Sequence, residues 1–224
     1  MTNSIRERVR AIASSYYSEH DWAHGRNHID RVTRTALEIG KREGADLDVI
    51  ELAALLHDIF VNKETHSNIE GFRHEIEGAK QAEKILKELG VRDKTIVAVC
   101  HCIESHRKRT GTEPQTIESK CLFDADKLDC IGAIGVIRSA FVSFDHGQEF
   151  YREEDNIESY KRKNIRQDGT IIDFSKHSSN LEYELSLKHV AERMYTKTGK
   201  RLAKERAEFM EKFFETFSSE MRSI

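Results

Sequence analysis

The sequence predicts an all-α protein. Helix-breaking residues are scarce, since the 224 residues contain a single proline, Pro114, and only 12 glycines. Apolar residues recur at spacings of three and four through most of the chain, which is the period of amphipathic helices. We find no convincing strand pattern between these segments. The expected architecture is therefore a set of helices joined by polar turns.

The first half of the chain is predicted to form five helices. Gly44 is placed to end the second helix and Gly90 the fourth, while Asp46 and Asp93 are placed to cap the helices that follow. Residues 61–74 are polar and irregular, which predicts a loop. The five predicted helices cover residues 2–19, 26–42, 49–59, 75–89 and 94–106.

The second half alternates between helices and charged segments. Residues 107–117 form a basic loop that contains glycine and proline, and a long helix is predicted over 118–143. Residues 145–178 are highly charged and weakly periodic, so we expect an excursion from the helical bundle. Two C-terminal helices are predicted over 179–196 and 199–221.

The composition favours one helical domain over residues 1–224 and excludes some partners. The formal charge is −3, from 36 basic and 39 acidic residues, so duplex nucleic acid and anionic membranes are not expected partners. No apolar run approaches the ~18 residues of a membrane span. The N-terminal sequence MTNSIRERVR is charged and carries no secretory signal. Four cysteines without a C-x-x-C pair fit reduced thiols in the cytoplasm.

A histidine pair lies at the start of the second predicted helix. His24 and His28 are four residues apart, so both imidazoles share one face if the helix begins by His24. Two histidines at this spacing suit metal binding. The pattern by itself is weak evidence and gains weight only beside other metal-binding residues. His24 has two further roles open to it, because it can orient a ligand histidine or simply pack.

A stronger signal lies at the end of the third predicted helix, in the sequence Leu-Leu-His57-Asp58-Ile-Phe. An ionised carboxylate within such an apolar stretch is costly unless it is paired or binds a cation. The alternative is a helix end at which His57 meets the helix dipole and Asp58 faces water.

Two carboxylates of the helix predicted over 118–143 lie beside the apolar residues that we expect to face the core. Asp126 is four residues from Leu122, and Asp129 is three residues from Asp126. Two like charges near a core require a cation or a proton between them. The alternative is an ordinary charged helix edge. Asp124 falls on another face, where we expect it to be solvated or to cap a helix.

In combination these residues resemble the HD superfamily of metal-dependent phosphohydrolases, whose motif is H…HD…D. The resemblance is closest to the small YpgQ/YedJ-like HD hydrolases and covers about residues 20–220. Three stretches carry it: HDWAHGRNHIDRV, FDADKLDCIGAIGVIRSAF and MYTKTGKRLAKERAEFMEKFFETF. The resemblance implies a helical bundle around one metal ion, or sometimes two.

By this resemblance the metal ligands are His28, His57, Asp58 and Asp126. Imidazole and carboxylate ligands suit a divalent cation, with Mn²⁺ or Mg²⁺ expected first and Fe²⁺, Co²⁺ or Ni²⁺ as alternatives. Since no thiolate takes part, a closed structural zinc site is less expected.

The resemblance implies hydrolysis of a nucleotide, either as a nucleoside triphosphate pyrophosphohydrolase or as a phosphatase; other phosphate esters stay open. The candidate catalytic residues are His106, Asp129 and His101. His101 and His106 differ by about 140° around their helix, so we prefer His106 and expect His101 to pack at the surface. Asp129 has a second role open to it, that of orienting a ligand histidine.

Four cations close in sequence to these ligands are candidates for phosphate binding: Arg26, Lys63, Lys127 and Arg138. The basic run at 107–109 is expected to be solvated, with a polyphosphate chain as its alternative ligand. Some relatives carry an acidic pair after the HD motif, where this sequence reads Ile-Phe-Val-Asn-Lys-Glu. A mechanism that uses carboxylates at those positions is therefore in doubt.

Two rival functions remain at this point. The first is a regulatory nucleotide-binding module that keeps the metal but turns over slowly or not at all. The second is a purely structural bundle with incidental histidines. The oligomeric state stays open, although the aromatic residues of the last helix are expected to pack within the chain.

Overall fold

The structure is helical, which confirms the predicted all-α class. The computed structural model describes residues 3–19, 21–66, 71–107, 111–167 and 169–222. No helix within these ranges combines the length and the apolar character needed to cross a membrane. The α-helices are α1 Asn3–Ser14, α2 Arg26–Glu43, α3 Leu47–Leu56, α4 Val61–His66, α5 His74–Glu88, α6 Asp93–Glu104, α7 Ile117–Leu128, α8 Gly132–Asp145, α9 Ile157–Asn164, α10 Ser179–Leu185 and α11 Lys197–Arg222.

The chain divides into two compact units. The first contains Met1–Asp126 and Tyr195–Gly199, and the second contains Lys127–Met194 and Lys200–Ile224. The organisation as one domain stays a prediction.

The turn between α2 and α3 forms as the sequence predicts. Gly44 adopts a left-handed conformation with φ of 73°, and its N–H donates to the carbonyl oxygen of Gly40. Asp46 then caps α3, because its side chain accepts from the backbone N–H groups of Asp48 and Val49. These bonds satisfy backbone groups that the two helix ends would otherwise leave unpaired.

Replacing Asp46 by alanine is expected to lower the free energy of unfolding by about 1 kcal/mol, the usual value of an N-cap side chain. Urea unfolding followed by circular dichroism would measure it. Asp46→Asn is the matched control, since asparagine caps helices equally well and should retain most of the stability. Equal losses in both variants would contradict a capping role.

Helix α3 is the centre of the first unit. It packs against α1, α2, α5 and α6, and α5 packs against α6. Seven of its ten residues are buried: Val49, Ile50, Leu52, Ala53, Ala54, Leu55 and Leu56. Because this apolar helix runs through the interior, the residues that follow it, His57 and Asp58, are also buried.

The predicted loop over 61–74 is partly wrong, because α4 forms at Val61–His66. Val61 is 7% exposed, and its N–H donates to the carbonyl oxygen of Asp58. An apolar contact and a local hydrogen bond thus hold a turn of helix in a segment whose composition is polar. Residues 67–70 of the predicted loop lie outside the described residues.

The single helix predicted over 118–143 is two helices, α7 and α8. The chain turns at Cys130 and Ile131, whose N–H groups donate to the carbonyl oxygens of Lys127 and Leu128. Gly132 follows with φ of 77°, a conformation that residues with a side chain rarely adopt. The apolar periodicity continues across this glycine, so the pattern alone did not reveal the break.

Two other predicted helices are shorter in the structure. Helix α1 ends at Ser14 rather than at residue 19. The helix predicted over 179–196 is α10, followed by two 3₁₀ turns at Leu187–His189 and Ala191–Arg193.

Polar contacts order part of the excursion predicted over 145–178. The hydroxyl of Tyr160 lies 2.7 Å from Nδ1 of His177, and the side-chain N–H of Asn164 donates to the same hydroxyl at 2.7 Å. All three residues are buried. Because the bond between Tyr160 and His177 joins residues 17 positions apart, a search for helical periodicity does not detect it.

Candidate metal centre

Four predicted ligands meet inside the first unit, and we call them the first cluster: His28, His57, Asp58 and Asp126. His28 lies in the first turn of α2, His57 and Asp58 follow α3, and Asp126 lies near the end of α7. Their side chains are nearly inaccessible to solvent, with relative exposures of 0%, 0%, 7% and 8%. The alternative of a solvated Asp58 at a helix end is therefore excluded.

The distances within the first cluster suit a single cation. Nε2 of His28 lies 3.5 Å from Oδ2 of Asp58 and 3.5 Å from Oδ1 of Asp126. Nε2 of His57 lies 3.4 Å and 4.0 Å from the same two oxygens. Atoms at these separations can share one ion at metal–ligand distances of about 2.0–2.2 Å.

One hydrogen bond fixes the orientation of the His57 ring. Its Nδ1 lies 2.8 Å from the carbonyl oxygen of Ala54, so Nδ1–H donates there and Nε2 carries the lone pair. Burial lowers the pKa of His57 to about 4, which makes the imidazole neutral at neutral pH. Among the described residues, its Nε2 is buried and has no hydrogen-bond partner. A lone pair that faces carboxylate oxygens in this way needs a cation or a proton between them.

A second cluster lies on the other side of Asp58 and consists of Asp58, His74 and His106. Oδ1 of Asp58 lies 3.1 Å from Nε2 of His74 and 3.3 Å from Nε2 of His106. The two Nε2 atoms are 3.3 Å apart. Nδ1 of His106 lies 2.6 Å from the carbonyl oxygen of Ile103, so Nε2 is the ring nitrogen turned towards Asp58. The two oxygens of Asp58 therefore face different clusters.

The environment of Asp58 keeps it ionised. Burial by itself would raise the pKa of Asp58, but the surrounding imidazoles hold it well below its usual value. His57 lowers it only where its own imidazole is protonated, whereas His106, His28 and His74 lower it through hydrogen bonds. The carboxylate that both clusters share is thus in the form that binds cations.

Sequence reasoning missed His74 and its acidic neighbours. His74 begins α5, where its Nδ1 lies 2.6 Å from Oε2 of Glu64. Burial would lower the pKa of His74, but hydrogen bonds with Asp58 and Glu64 raise it to about 9. Burial would raise the pKa of Glu64, but hydrogen bonds with His74 lower it to about 2. The sequence feature that could have revealed them is the pair His74-Glu75, which begins the helix α5 after the His57-Asp58 pair.

Arg107 belongs to the same network, although its basic run is predicted to be a solvated loop. Its Nη1 lies 3.1 Å from Oε1 of Glu64 and 3.8 Å from Oε2 of Glu75, a carboxylate that is 1% exposed. The solvated interpretation is therefore wrong for Arg107. Residues 108 and 109 lie outside the described residues.

Two predicted site residues of the first unit contact groups outside the clusters. Nε2 of His101 accepts a hydrogen bond from the N–H of Gln115 at 3.2 Å. Arg26 lies at the surface, where its guanidinium forms an ion pair with Glu19 at 2.9 Å.

A third, Lys63, lies against aromatic rings. Its Nζ is 5.6 Å from the ring centre of Phe60 and 5.2 Å from that of Phe72. Lys63 lies five residues beyond Asp58, so the segment that follows the His-Asp pair carries a cation.

The remaining candidates lie in the second unit, which contains Lys127, Asp129 and Arg138. Nη1 of Arg138 lies 3.2 Å from Oδ2 of Asp129, and both residues are buried. Arg138 and Asp129 thus form a buried ion pair with each other.

Asp124 is buried rather than solvated, which corrects the first of its two expected roles. Its side chain accepts bonds from the N–H groups of Tyr195 and Thr196, each at 2.8 Å, and from the hydroxyl of Thr196 at 2.7 Å. These residues immediately precede α11. Asp124 therefore binds α7 to the start of α11, two residues before Asp126.

Comparison with known proteins finds relatives that cover this part of the chain. The HD domain family profile matches residues 25–131. The chain is 28% identical to Bacillus subtilis YpgQ over 230 residues, which cover 98% of this chain and 93% of YpgQ.

Two crystal structures share the fold over nearly the whole chain. That of B. subtilis YpgQ in complex with ADP has a TM-score of 0.70 and 25% identity, and the match covers 97% of this chain and 95% of that one. That of an HD-superfamily hydrolase from Bacillus thuringiensis has a TM-score of 0.70 and 26% identity, with coverages of 99% and 98%. The fold and the buried His/Asp cluster thus define an HD domain with a divalent metal site. Residues 25–131 thus match an HD domain, and the chain is similar over nearly its whole length to YpgQ and to an HD-superfamily hydrolase of known structure.

Proposed function

We propose that this protein is a metal-dependent phosphohydrolase that acts on nucleotides. The observation that carries the proposal is the approach of two imidazole nitrogens to two carboxylate oxygens, at distances of 3.4–4.0 Å, from residues in or directly after three helices. Support for a nucleotide comes from the homologue YpgQ, which was crystallised with ADP. The proposed reactions are release of pyrophosphate from a nucleoside triphosphate or release of phosphate.

His28, His57, Asp58 and Asp126 are the proposed ligands of one divalent cation. Mn²⁺ and Mg²⁺ are the first choices, because imidazole and carboxylate ligands accommodate both, and Fe²⁺, Co²⁺ and Ni²⁺ are alternatives. When bound, such an ion polarises a phosphoryl oxygen and lowers the pKa of a water molecule. Nδ1–H of His57 stays fixed on Ala54, so the ring keeps its orientation while Nε2 binds.

His106 is the proposed proton-transfer residue. Its Nε2 lies 3.3 Å from Asp58, whereas Nδ1 is fixed on the carbonyl oxygen of Ile103. One ring nitrogen beside the ion site is therefore available to exchange a proton with water or phosphate. His101 and Asp129, the other candidates, are bound to Gln115 and Arg138, and we assign them no direct role.

Arg26 and Lys63 are the proposed phosphate contacts of the first unit. Arg26 is 47% exposed and its ion pair is a surface pair, which exchanges for a phosphate at little cost. Lys63 carries its charge on a segment anchored by Phe60 and Phe72. Lys127 and Arg138 remain candidates in the second unit, where Arg138 would have to share its charge with Asp129.

A panel of nucleoside mono-, di- and triphosphates tests the proposal, with phosphate and pyrophosphate assayed separately. Turnover is expected with Mn²⁺, loss of turnover with excess EDTA, and recovery when Mn²⁺ is restored. Mn²⁺ at about 100 times its Kd should also stabilise the fold by about 2.7 kcal/mol. Reactions with Mn²⁺ but no protein are the control for uncatalysed hydrolysis.

Two other results would redirect the assignment. Tight nucleotide binding without turnover of any compound would indicate a regulatory module. Failure to bind Mn²⁺ or to gain thermal stability from it would indicate a structural bundle.

Elemental analysis of the protein equilibrated with Mn²⁺ is expected to give one equivalent per chain. Two equivalents would assign the second cluster to a second ion, since its three ligand atoms lie within 4.8 Å of one another. In that case His106 would be a metal ligand and another residue would transfer the proton.

A further inference from the structure

Glu64 makes two bonds to the first residue of α5. Its Oε2 accepts from the backbone N–H of His74 at 2.9 Å and lies 2.6 Å from Nδ1 of the same residue. One carboxylate thus holds both the start of the helix and the ring of its first histidine. Glu64 itself lies six residues after Asp58, in α4.

This contact decides which nitrogen of His74 faces the site. Because Nδ1–H donates to Glu64, Nε2 is directed to the opposite side, 3.1 Å from Oδ1 of Asp58. His74 is 3% exposed and Asp58 is 5% exposed, so water has little access to the contact between them. A continuous path of polar contacts therefore runs from Glu64 through His74 to Asp58.

Arg107 and Glu75 complete the environment of Glu64 and His74. Nη1 of Arg107 lies 3.1 Å and 3.3 Å from the two carboxylate oxygens of Glu64. Oε2 of Glu75 lies 3.9 Å from Nδ1 of His74, farther than the 2.6 Å of Glu64. Nη1 of Arg107 also lies 3.0 Å from Nδ1 of His74, and Glu64 is the acid within hydrogen-bond distance of that nitrogen.

Asp58 is the residue that contacts His74 and is also a proposed ligand of the ion. Its Oδ2 faces the Nε2 atoms of His28 and His57 at 3.5 Å and 3.4 Å, while Oδ1 faces His74 and His106. A carboxylate can rotate about its last bond and exchange these oxygens. The contact from His74 holds Oδ1 in place and thereby keeps Oδ2 directed to the ion.

We propose that Glu64 is a positioning residue of the metal centre, which acts through His74 to fix the orientation of Asp58. The inference rests on the proposed function, because it assigns a role in the same centre. Partners of metal ligands typically change metal affinity or activity by about 10–100-fold when they are lost. Glu64 should have an effect of that size although it contacts no proposed ligand directly.

A double-mutant cycle on Mn²⁺ affinity tests this role. Glu64→Leu and His74→Phe are each expected to weaken Mn²⁺ binding by about 10–100-fold, measured by calorimetry. If Glu64 acts through His74, the double variant should bind no more weakly than the weaker single variant. Wild-type affinity in Glu64→Leu, or effects that simply add, would overturn the proposal.

A spectroscopic measurement separates positioning from a general loss of stability. In ¹⁵N-histidine spectra, Glu64→Leu should change the Nδ1 signal of His74 and leave those of His57 and His106, which donate to Ala54 and Ile103. Unchanged His74 signals would contradict the proposal.

Further variants control for charge and for folding. Glu77→Leu replaces a half-buried acid in the first turn of the same helix α5, whose ion partner is Lys80, and should leave the affinity and the spectrum unchanged. Glu64→Gln keeps an acceptor oxygen and should recover part of the affinity. If Glu64→Leu does not fold, the cycle is run with Glu64→Gln, and additivity would again overturn the inference.

These readouts also distinguish the inference from the proposed function. A wild-type protein that binds Mn²⁺ but hydrolyses no nucleotide would overturn the proposed function and leave the affinity cycle valid. A wild-type protein that hydrolyses nucleotides but gives an additive cycle would overturn only the role of Glu64. If the wild type binds no Mn²⁺, the proposed function fails and the His74 signal still tests the contact with Glu64.

Discussion

Replacing Asp126 by asparagine is expected to weaken Mn²⁺ binding by at least about 100-fold, more than the loss of an outer partner. Asparagine keeps the size of the side chain but removes the charge that faces Nε2 of His28 at 3.5 Å and of His57 at 4.0 Å. A metal ion contributes several kcal/mol of transition-state stabilisation, so kcat/KM on a nucleotide should fall by about 10³-fold.

Calorimetry with Mn²⁺ and steady-state kinetics on the best nucleotide of the panel would measure both effects. Asp93→Asn is the matched control, because Asp93 is exposed at the start of α6 in the same unit. Circular dichroism of each variant establishes that the fold is retained. A folded Asp126→Asn protein with wild-type Mn²⁺ affinity would remove Asp126 from the metal centre.

Replacing Asp124 by alanine is expected to lower the free energy of unfolding by about 3–5 kcal/mol, since hydrogen bonds to a charged group contribute about 1.5–3 kcal/mol each and their effects do not simply add. Three hydrogen bonds disappear at once, from the N–H of Tyr195 and from the N–H and hydroxyl of Thr196. Asp124 is 0% exposed and Thr196 is 3% exposed, so water cannot easily replace the carboxylate.

Urea unfolding would measure this loss, with Thr196→Val as the matched variant. Valine removes only the hydroxyl bond and should cost about 1 kcal/mol, the usual contribution of a single hydrogen bond. Gly199→Ala should also destabilise the protein, because a Cβ there would lie 2.2 Å from Oδ2 of Asp124. A loss below about 1 kcal/mol in Asp124→Ala would show that the three bonds are replaced by water.

The agreement between sequence and structure is closest where one local property decides the outcome. Gly44 ends α2 and Asp46 begins α3 because a left-handed glycine and a capping carboxylate act on backbone groups within a few residues. His57 and Asp58 are buried because they follow an apolar helix directly. Asp126 lies on the buried side of α7, as its spacing from Leu122 predicts.

Prediction failed where a contact joins distant parts of the chain. Glu64 is ten residues from His74 and 43 from Arg107, and Asp124 is 72 from Thr196. Helical periodicity reports which face of a helix is buried, but it contains no information about which residues of another element face it. The role of Arg107 and the burial of Asp124 were therefore missed.

The sequence by itself determined the helical class, most helix positions and the four residues expected to bind the metal. Only the tertiary structure decided that the two oxygens of Asp58 face different histidine pairs, and that His74 rather than His101 stands beside His106. The physical reason is that local spacing sets the burial of each side chain, whereas the packing of α2, α3, α5, α6 and α7 sets the distances between them.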